Sequence, residues 1–362
     1  MTVQSNNDGS TGEQRDDGVT MASIHDVARV AGVSISTVSY ALSGKRSIAE
    51  STRRRVEDAV RQLDYRPNAG ARMLKGARTN ILALSAPLHA ATHAPAHMTF
   101  VLAVARAARA YDFDILLLTQ DEATSGIRRV ARSSLVDGIL LLDVSSDDER
   151  APLLRELGLP AAVIGIPDDV TGLTCVDLDF EKAAQMCVTR LVGQGHRQIA
   201  LLGQDPAVYE RRSNFPPRFR DAFLAEADRL GVGTFFTPAK EDTASVAEAL
   251  AAIDGALPGL DALVMHANEP VQSMVLDLLR QRGIRVPQDL SVISACSSFD
   301  TDHLHPALDV VPLPADRSCT RAIELTMAQL GTRSAPSDAV PHVELIEPEY
   351  IELGSTASRT PA

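Results

Sequence analysis

The sequence predicts an all-α head followed by an α/β core of two parallel-sheet subdomains. Three observations carry that expectation. The chain has 362 residues, enough for two or three domains at roughly 100–200 residues each. Its 45% hydrophobic and 23% charged residues are ordinary for a chain that buries cores. The apolar periodicity changes kind along the chain: short helical patterns before residue 65, then strand-sized and helix-sized segments in alternation from Asn80 onward.

Charge divides the chain in the same way. The net charge is −12, which taken alone argues against a nucleic-acid partner. By position it is −3 over residues 1–21, +6 over 22–78 and −15 over 79–362. Residues 1–21 read as a disordered tail. A basic head before an acidic body suggests that the head meets a polyanion while the body stays off it; a solvated basic helix face is the alternative.

The head spans residues 22–67. Ser23 is placed to cap a first helix, with Asp26 in the first turn where the dipole favours a carboxylate. Gly32 breaks that helix, and Ser34 caps a second that ends near Ser43-Gly44. Two short helices about a glycine turn make a helix-turn-helix, whose second helix enters the DNA major groove. Small Ala28 and apolar Val38 suit the helix crossing. A third helix from Ser51 carries Val56, Val60 and Leu63 on its buried stripe and Arg53, Arg54, Arg55 and Arg61 opposite. On the second helix Ile35, Ser36, Ser39 and Tyr40 are exposed, while Thr37 and Val38 look inward. Hydroxyls can bond base edges or phosphates, and Ile35 can meet a thymine methyl. No Arg, Asn or Gln sits there, so bidentate reading of guanine or adenine is missing.

In the core, Ile81–Ser85, Ile115–Thr119, Gly138–Leu142 and Ala161–Ile164 read as buried strands, with helices around 99–111, 125–135 and 148–157. A second series has strands Gln198–Leu202, Thr234–Thr237, Ala262–Met265 and Ser291–Ala295, with helices around 180–193, 217–230, 244–254 and 270–282. Two sets of βα units imply two parallel sheets covered by helices, with ligands expected beyond the carboxyl ends of the strands, in the cleft between subdomains. Val271, Met274, Val275 and Leu278 form an apolar stripe suited to a dimer interface or to the core.

Other classes lack their signatures. Cys175, Cys187, Cys296 and Cys319 are far apart with no CxxC pair, against a zinc module or a disulfide scaffold, and read as reduced cytosolic thiols. The longest apolar runs are strand-sized, against a membrane span, and the N-terminus has no secretory pattern. There is no P-loop, GxSxG elbow or GxGxxG after a strand, so no enzyme, cofactor or catalytic residue is expected. A periplasmic-type binding protein would share the body but need an export signal and no DNA-binding head. His89, His93 and His97 are spaced by four, yet Pro95 and the alanines around it argue against one helix through all three, and no metal is expected.

The run IHDVARVAGVSISTVSYALSG…TRRRVEDAVRQLDYRPNAGARMLKGARTN resembles the DNA-binding head of the lactose-repressor family of bacterial transcription regulators, colinear over about 55 residues. The resemblance implies a hinge over 68–79 that becomes helical on an operator, with Leu74 wedged into the minor groove. An apolar wedge unstacks a base step and bends DNA, and Pro67 and Gly70 suit a helix that forms only there. It also implies DNA contacts from Ser34, Ile35, Ser36, Ser39, Tyr40, Arg46, Ser47, Thr52, Asn68, Ala71, Arg72, Leu74 and Lys75. Where Tyr40 stands the family usually has a polar or basic residue.

The phrases VDGILLLD, LLRELGLPAAVIG, VDLDFEKAA, LVGQGHRQIALLG, QRGIRVPQDLSVIS and PEYIELGSTA are similar to the same family's effector core, which resembles periplasmic sugar-binding proteins. They imply one subdomain from 80–176 and 311–345, the other from 177–310 and 346–355, and a tail over 356–362. The Gly-His turn at 195–196 reads as a loop signature with His196 structural. Carried over by position, Thr92, Ala94, Pro95, Met98, Asp179, Phe215, Asn268 and Ser297 would face an effector, with Tyr209 and Phe100 adding aromatic surface. The family's sugar-gripping Arg falls on Phe215, its Asn-Asp pair on Asn268-Glu269 and its late acidic pair on Ser297-Ser298. A sugar, a smaller or less hydroxyl-rich ligand, and no ligand at all therefore stay open. The family implies a cytoplasmic homodimer on a pseudo-palindromic double-stranded operator, most simply a repressor, with inducer and co-repressor both allowed.

Overall fold

The computed structural model describes residues 22–43, 48–65, 78–89, 92–119, 123–331 and 342–359. The chain divides into two units at Arg78/Thr79.

The first unit holds α1 (Ile24–Ala31), α2 (Ile35–Ser43) and α3 (Glu50–Gln62). Ser23 and Asp26 close a capping box: the Asp26 amide donates to Ser23 Oγ, while Ser23 N–H and O–H both donate to the Asp26 carboxylate. The box satisfies amides that a helix start otherwise leaves free. Gly32 ends α1 in the left-handed region at φ 62°, where a side chain would be strained. Val27, Ala28, Ala31, Val38, Val56, Ala59 and Tyr65 form the core of the head. Val60 and Leu63, expected on the buried stripe, are half-buried at its rim, and Ala59 takes the central position.

The second unit holds, in chain order, β1 (Ile81–Ser85), α4 (Ala94–Arg109), β2 (Asp114–Leu118), α5 (Ala123–Arg132), β3 (Gly138–Leu141), α6 (Arg150–Leu157), β4 (Ala161–Ile164) and β5 (Thr174–Leu178). There follow α7 (Phe180–Gly193), β6 (Gln198–Gly203), α8 (Pro206–Glu210), α9 (Phe215–Arg229), β7 (Gly233–Pro238), α10 (Thr243–Ala256), β8 (Ala262–Met265), α11 (Glu269–Gln281), β9 (Ser291–Ser297), β10 (Asp309–Pro312), α12 (Ala315–Gly331) and β11 (His342–Ile346). Among the described residues two sheets form, ordered β11-β5-β4-β3-β1-β2 and β10-β9-β8-β6-β7, and their paired strands are parallel.

The expectation named no strand at β5, β10 or β11, the segments where the chain passes between subdomains. Each is short, and its register comes from a neighbouring strand distant in sequence, as in His342↔Thr174 and Asp309↔Ile293. Each sheet is packed on both faces. Around the first, Val101, Val104, Cys319 and Ile323 cover one side and Ile127, Val130, Leu153 and Leu154 the other. Around the second, Phe219, Phe223 and Leu191 cover one side and Val246, Ile253, Val275 and Leu279 the other. Each fully buried side chain of that size contributes roughly 1.5–3 kcal/mol of transfer free energy. Val271 and Val275 are buried in this core with Met274 and Leu278 packed against it, so the α11 stripe is core. All four cysteines are buried and free. Among the described residues no helix is long and apolar enough to cross a membrane.

Candidate functional site

The head presents one candidate surface. Ser34 Oγ accepts from the Thr37 amide (3.2 Å) and lies 2.8 Å from the hydroxyls of Ser36 and Thr37. It therefore caps α2 as well as facing outward. Ile35, Ser36 and Tyr40 are exposed on the same helix, Ser39 and Thr37 half-buried, and Val38 fully buried. Thr52 is half-buried in the first turn of α3. Arg54 pairs with Glu50 and Arg61 with Asp58, whereas Arg53 and Arg55 are exposed and make no ion pair among the described residues. Arg46, Ser47, Asn68, Ala71, Arg72, Leu74 and Lys75 lie outside the described residues, as do most of the hinge and residues 1–21.

The second site is a solvent-open cavity in the second unit. Its walls come from carboxyl ends of strands and starts of helices, the place an open parallel sheet leaves for a ligand. From the first sheet come Leu142, Asp143, Val144, Ile164, Gly165 and Asp177; from the second, Gln204, Ala267, Cys296, Ser298 and Leu313. Helix starts add His93, Ala96, His97, Phe100, Phe180, Asn214 and Phe215.

Three polar links cross this cleft. Arg211 grips Asp143 with two guanidinium nitrogens at 2.6 and 3.2 Å. Arg218 on α9 donates to Asp177 at 2.7 Å and to both oxygens of Glu181 at 2.8 Å, with its guanidinium 5.5 Å from the Phe180 ring. At the mouth, Glu241 Oε1 lies 2.8 Å from both His93 Nδ1 and Asn268 Nδ2. Main chain joins in as well: Ser146 N–H donates to Arg212 C=O and Asn214 N–H to Val144 C=O. Burial pushes the Asp177 carboxyl up to about 6 although Arg218 opposes it. Burial pulls the His97 imidazole below its usual range. It pulls His266 down to about 3, where its ring packs 4.5 Å from that of Phe219, close to Phe180 and Phe215. Arg150 is fully engaged by Asp148 and by the carbonyls of Ser85, Leu142 and Asp143, and so holds the loop that carries Asp143.

Of the residues expected to face an effector, Thr92, Phe215 and Asn268 line the cavity, as does Phe100. Ala94, Pro95 and Met98 do not, and Met98 is 40% exposed. The reason is the helix: α4 begins at Ala94 with Pro95 in its first turn, and the 3.6-residue period turns 93, 96, 97 and 100 inward. Asp179 does not line the cavity; its carboxylate caps α7 by accepting from the Lys182 amide, and Asp177 reaches the cavity instead. Ser297 is buried beside Ser294 and Gln272, and the next residue, Ser298, faces the cavity. Tyr209 packs edge-on against Phe236 rather than on the cavity wall. Asp143, Gln204, Arg211 and Asn214 were not anticipated; the signal available was position, since Asp143 and Gln204 immediately follow apolar strands. His196 is fully buried, with Nε2 3.1 Å from Ala357 C=O and Nδ1 3.3 Å from Asp261.

Comparison with known proteins finds matches to both units. The model of bacterial regulatory proteins of the lacI family matches residues 23–68, and that of a periplasmic binding protein-like domain matches 188–356. The chain is 31% identical over 306 residues to the HTH-type transcriptional regulator CelR of Thermobifida fusca, covering 80% of this chain and 86% of that protein. A solved complex of a transcriptional regulator CelR with cellobiose is 25% identical, with a TM-score of 0.61 over 92% of this chain and 99% of that one. The lac repressor dimer bound to operator and an anti-inducer shares the fold, at 21% identity and a TM-score of 0.74 over 93% of this chain and 100% of that one. With such identity over four-fifths of its length, a helix-turn-helix head and a two-sheet core, the chain belongs to the lacI family of bacterial regulatory proteins and is a DNA-binding transcription regulator rather than an enzyme.

Proposed function

We propose that this regulator is a cytoplasmic homodimeric repressor that binds a pseudo-palindromic operator and is controlled by a small molecule in the cleft of its second unit. The observation that carries the ligand-responsive part is the cavity itself. It lies between two sheets whose groups are tied across it by Arg211–Asp143, Arg218–Asp177 and His93–Glu241. A ligand there makes different contacts when the walls are closed and when they are apart, which is the requirement for shifting a two-state equilibrium. The likeness to a regulator solved with cellobiose supports a sugar or a related metabolite.

Ile35, Ser36, Ser39 and Tyr40 read the operator, Ser34 and Thr52 hold phosphates, and Arg46, Ser47, Asn68, Ala71, Arg72 and Lys75 add contacts around the wedge of Leu74. Homodimerisation is supported by an uncovered apolar face: Met98 and Leu102 sit one turn apart on α4, and Leu117 is exposed on the edge strand β2. The test is operator binding by the whole chain, titrated with each compound that raises its melting temperature. A stabilising compound should change operator affinity several-fold. Compounds that stabilise the protein yet leave operator affinity unchanged would remove the ligand-responsive part. Leu74→Ala should impair specific binding far more than non-specific binding, and equal losses would remove the wedge.

A further inference from the structure

We infer that the cleft selects an uncharged, ring-bearing ligand and rejects phosphorylated or carboxylated ones. This rests on the ligand-responsive reading above and deepens it. Among the described residues, Arg211 is the only Arg or Lys lining the cavity, and both its bonding nitrogens are held by Asp143. Arg218, just behind the wall, is held by Asp177 and Glu181 through three bonds. His93 faces Glu241 across the mouth. Of these guanidinium nitrogens, Arg211 Nε alone has no partner among the described residues. An anion could draw on the others only by breaking a pair, which strands the half-buried carboxylate of Asp143 or Asp177, and that outcome is strongly unfavourable.

Helix starts are the other natural seat for an anion, because their free amides and dipole favour negative charge. Here they are poorly equipped. α4, α9 and α11 all begin at the cavity and all carry proline in the first turn: Pro95, Pro216 with Pro217, and Pro270. Each proline deletes an N–H that an anion would otherwise use. At the start of α7 the Lys182 amide is already taken by the Asp179 carboxylate. The cleft therefore offers an anion one nitrogen of a guanidinium already neutralised by Asp143, and no full set of amides.

What it offers an uncharged ligand is different. His97 is 8% exposed, lines the cavity, and its Nε2 has no hydrogen-bond partner among the described residues. Burial lowers its pKa, so at neutral pH the ring carries no charge yet keeps one unmatched polar atom. Phe100, Phe180 and Phe215 add apolar ring surface, with Asn214, Gln204, Asn268 and Ser298 between them. That combination suits an uncharged ring with an apolar face and a few hydrogen-bonding groups, supplied either by an unphosphorylated sugar or by a nucleoside.

The test is thermal unfolding of the whole chain at matched ionic strength with glucose and glucose 6-phosphate, cellobiose, adenosine and adenosine 5′-monophosphate, and inorganic phosphate. An uncharged compound of one series should raise the melting temperature by at least about 2 °C, its phosphorylated partner should not, and the series that responds identifies the source. Asp143→Asn should release Arg211 and give inorganic phosphate a stabilising effect that wild type lacks. Asn tolerates the positive φ of 53° at this position, so the variant is expected to fold. A wild-type shift with inorganic phosphate or a phosphorylated compound, lost in Arg211→Gln, would overturn the inference. If no organic compound shifts wild type, the ligand-responsive reading is what fails, and the phosphate response of Asp143→Asn still decides the charge argument.

Discussion

His266 illustrates what burial does to one ionisable ring. It is almost wholly buried between Phe180, Phe215 and Phe219, and removal from water holds its pKa near 3 against an ordinary 6.5. The folded protein therefore keeps the ring neutral while the unfolded chain protonates it below pH 6.5. Stability from this group is present above that pH and is lost as pH falls toward 3. At pH 5 the loss is about 2 kcal/mol, from roughly 1.5 units of differential protonation at 1.36 kcal/mol each. Asp177 works in the opposite sense, since its folded pKa is raised to about 6 and protonation there relieves a buried charge. Comparing wild type with His266→Phe cancels that contribution, because Asp177 is present in both. Between pH 7.5 and 5 the variant should lose about 2 kcal/mol less stability in urea titrations, and parallel pH curves would show that His266 is not held neutral. At this scale little was legible in advance: a histidine among apolar neighbours gives no sign of three aromatic rings brought from Phe180, Phe215 and Phe219.

Elements were more legible than the side chains they aim. Phe180–Gly193 starts and stops where capping by Asp179 and the following Gln-Gly turn place it, and Ile81–Ser85 and Ala262–Met265 stand out as short apolar runs. The misplacement came at helix starts. Proline reads as a breaker, yet it is tolerated in a first turn whose N–H has no helical partner. α4 thus begins five residues earlier than its apolar pattern suggests, and its inward face is 93, 96, 97 and 100 rather than the 94, 95 and 98 carried over from the family. Turn glycines can be ranked on the same physical grounds. At Gly32 (φ 62°) an added Cβ would meet only Arg55 Nη1, at 4.0 Å, so Gly32→Ala bears the left-handed strain alone, about 1 kcal/mol. At Gly195 (φ 94°) the Cβ would lie 2.6 Å from Arg359 C=O, so strain and a backbone clash combine and the cost should be at least about twice as large. Amide hydrogen exchange reads the two separately: Gly32→Ala should lower protection within α1 and α2 only, and Gly195→Ala within the second unit only. Equal small effects at both positions would mean that the Arg359 segment simply moves aside.

The whole molecule carries its charge in opposition, +6 over residues 22–78 and −15 over 79–362, and that division bears on how it holds DNA. Cations of the head displace counterions from phosphates, so above roughly 0.1 M salt log affinity should fall steeply and linearly with log salt, at a slope near −0.9 per phosphate neutralised. The acidic body cannot add to that slope, and at low salt its repulsion is least screened, since the Debye length grows to about 30 Å at 0.01 M. The plot should therefore flatten at the low-salt end rather than stay straight. Two heads on one operator double the phosphates engaged, which makes the slope a measure of assembly as well as charge. Leu102 is 52% exposed on the α4 face proposed to join two copies, so Leu102→Glu alters a surface position and should leave the fold intact while separating the copies. Its slope should then drop to about half that of wild type, with sedimentation reporting a monomer. A wild-type slope near zero would remove the basic head as the DNA contact, whereas an unchanged slope in a variant that still sediments as a dimer would move the interface away from Met98 and Leu102.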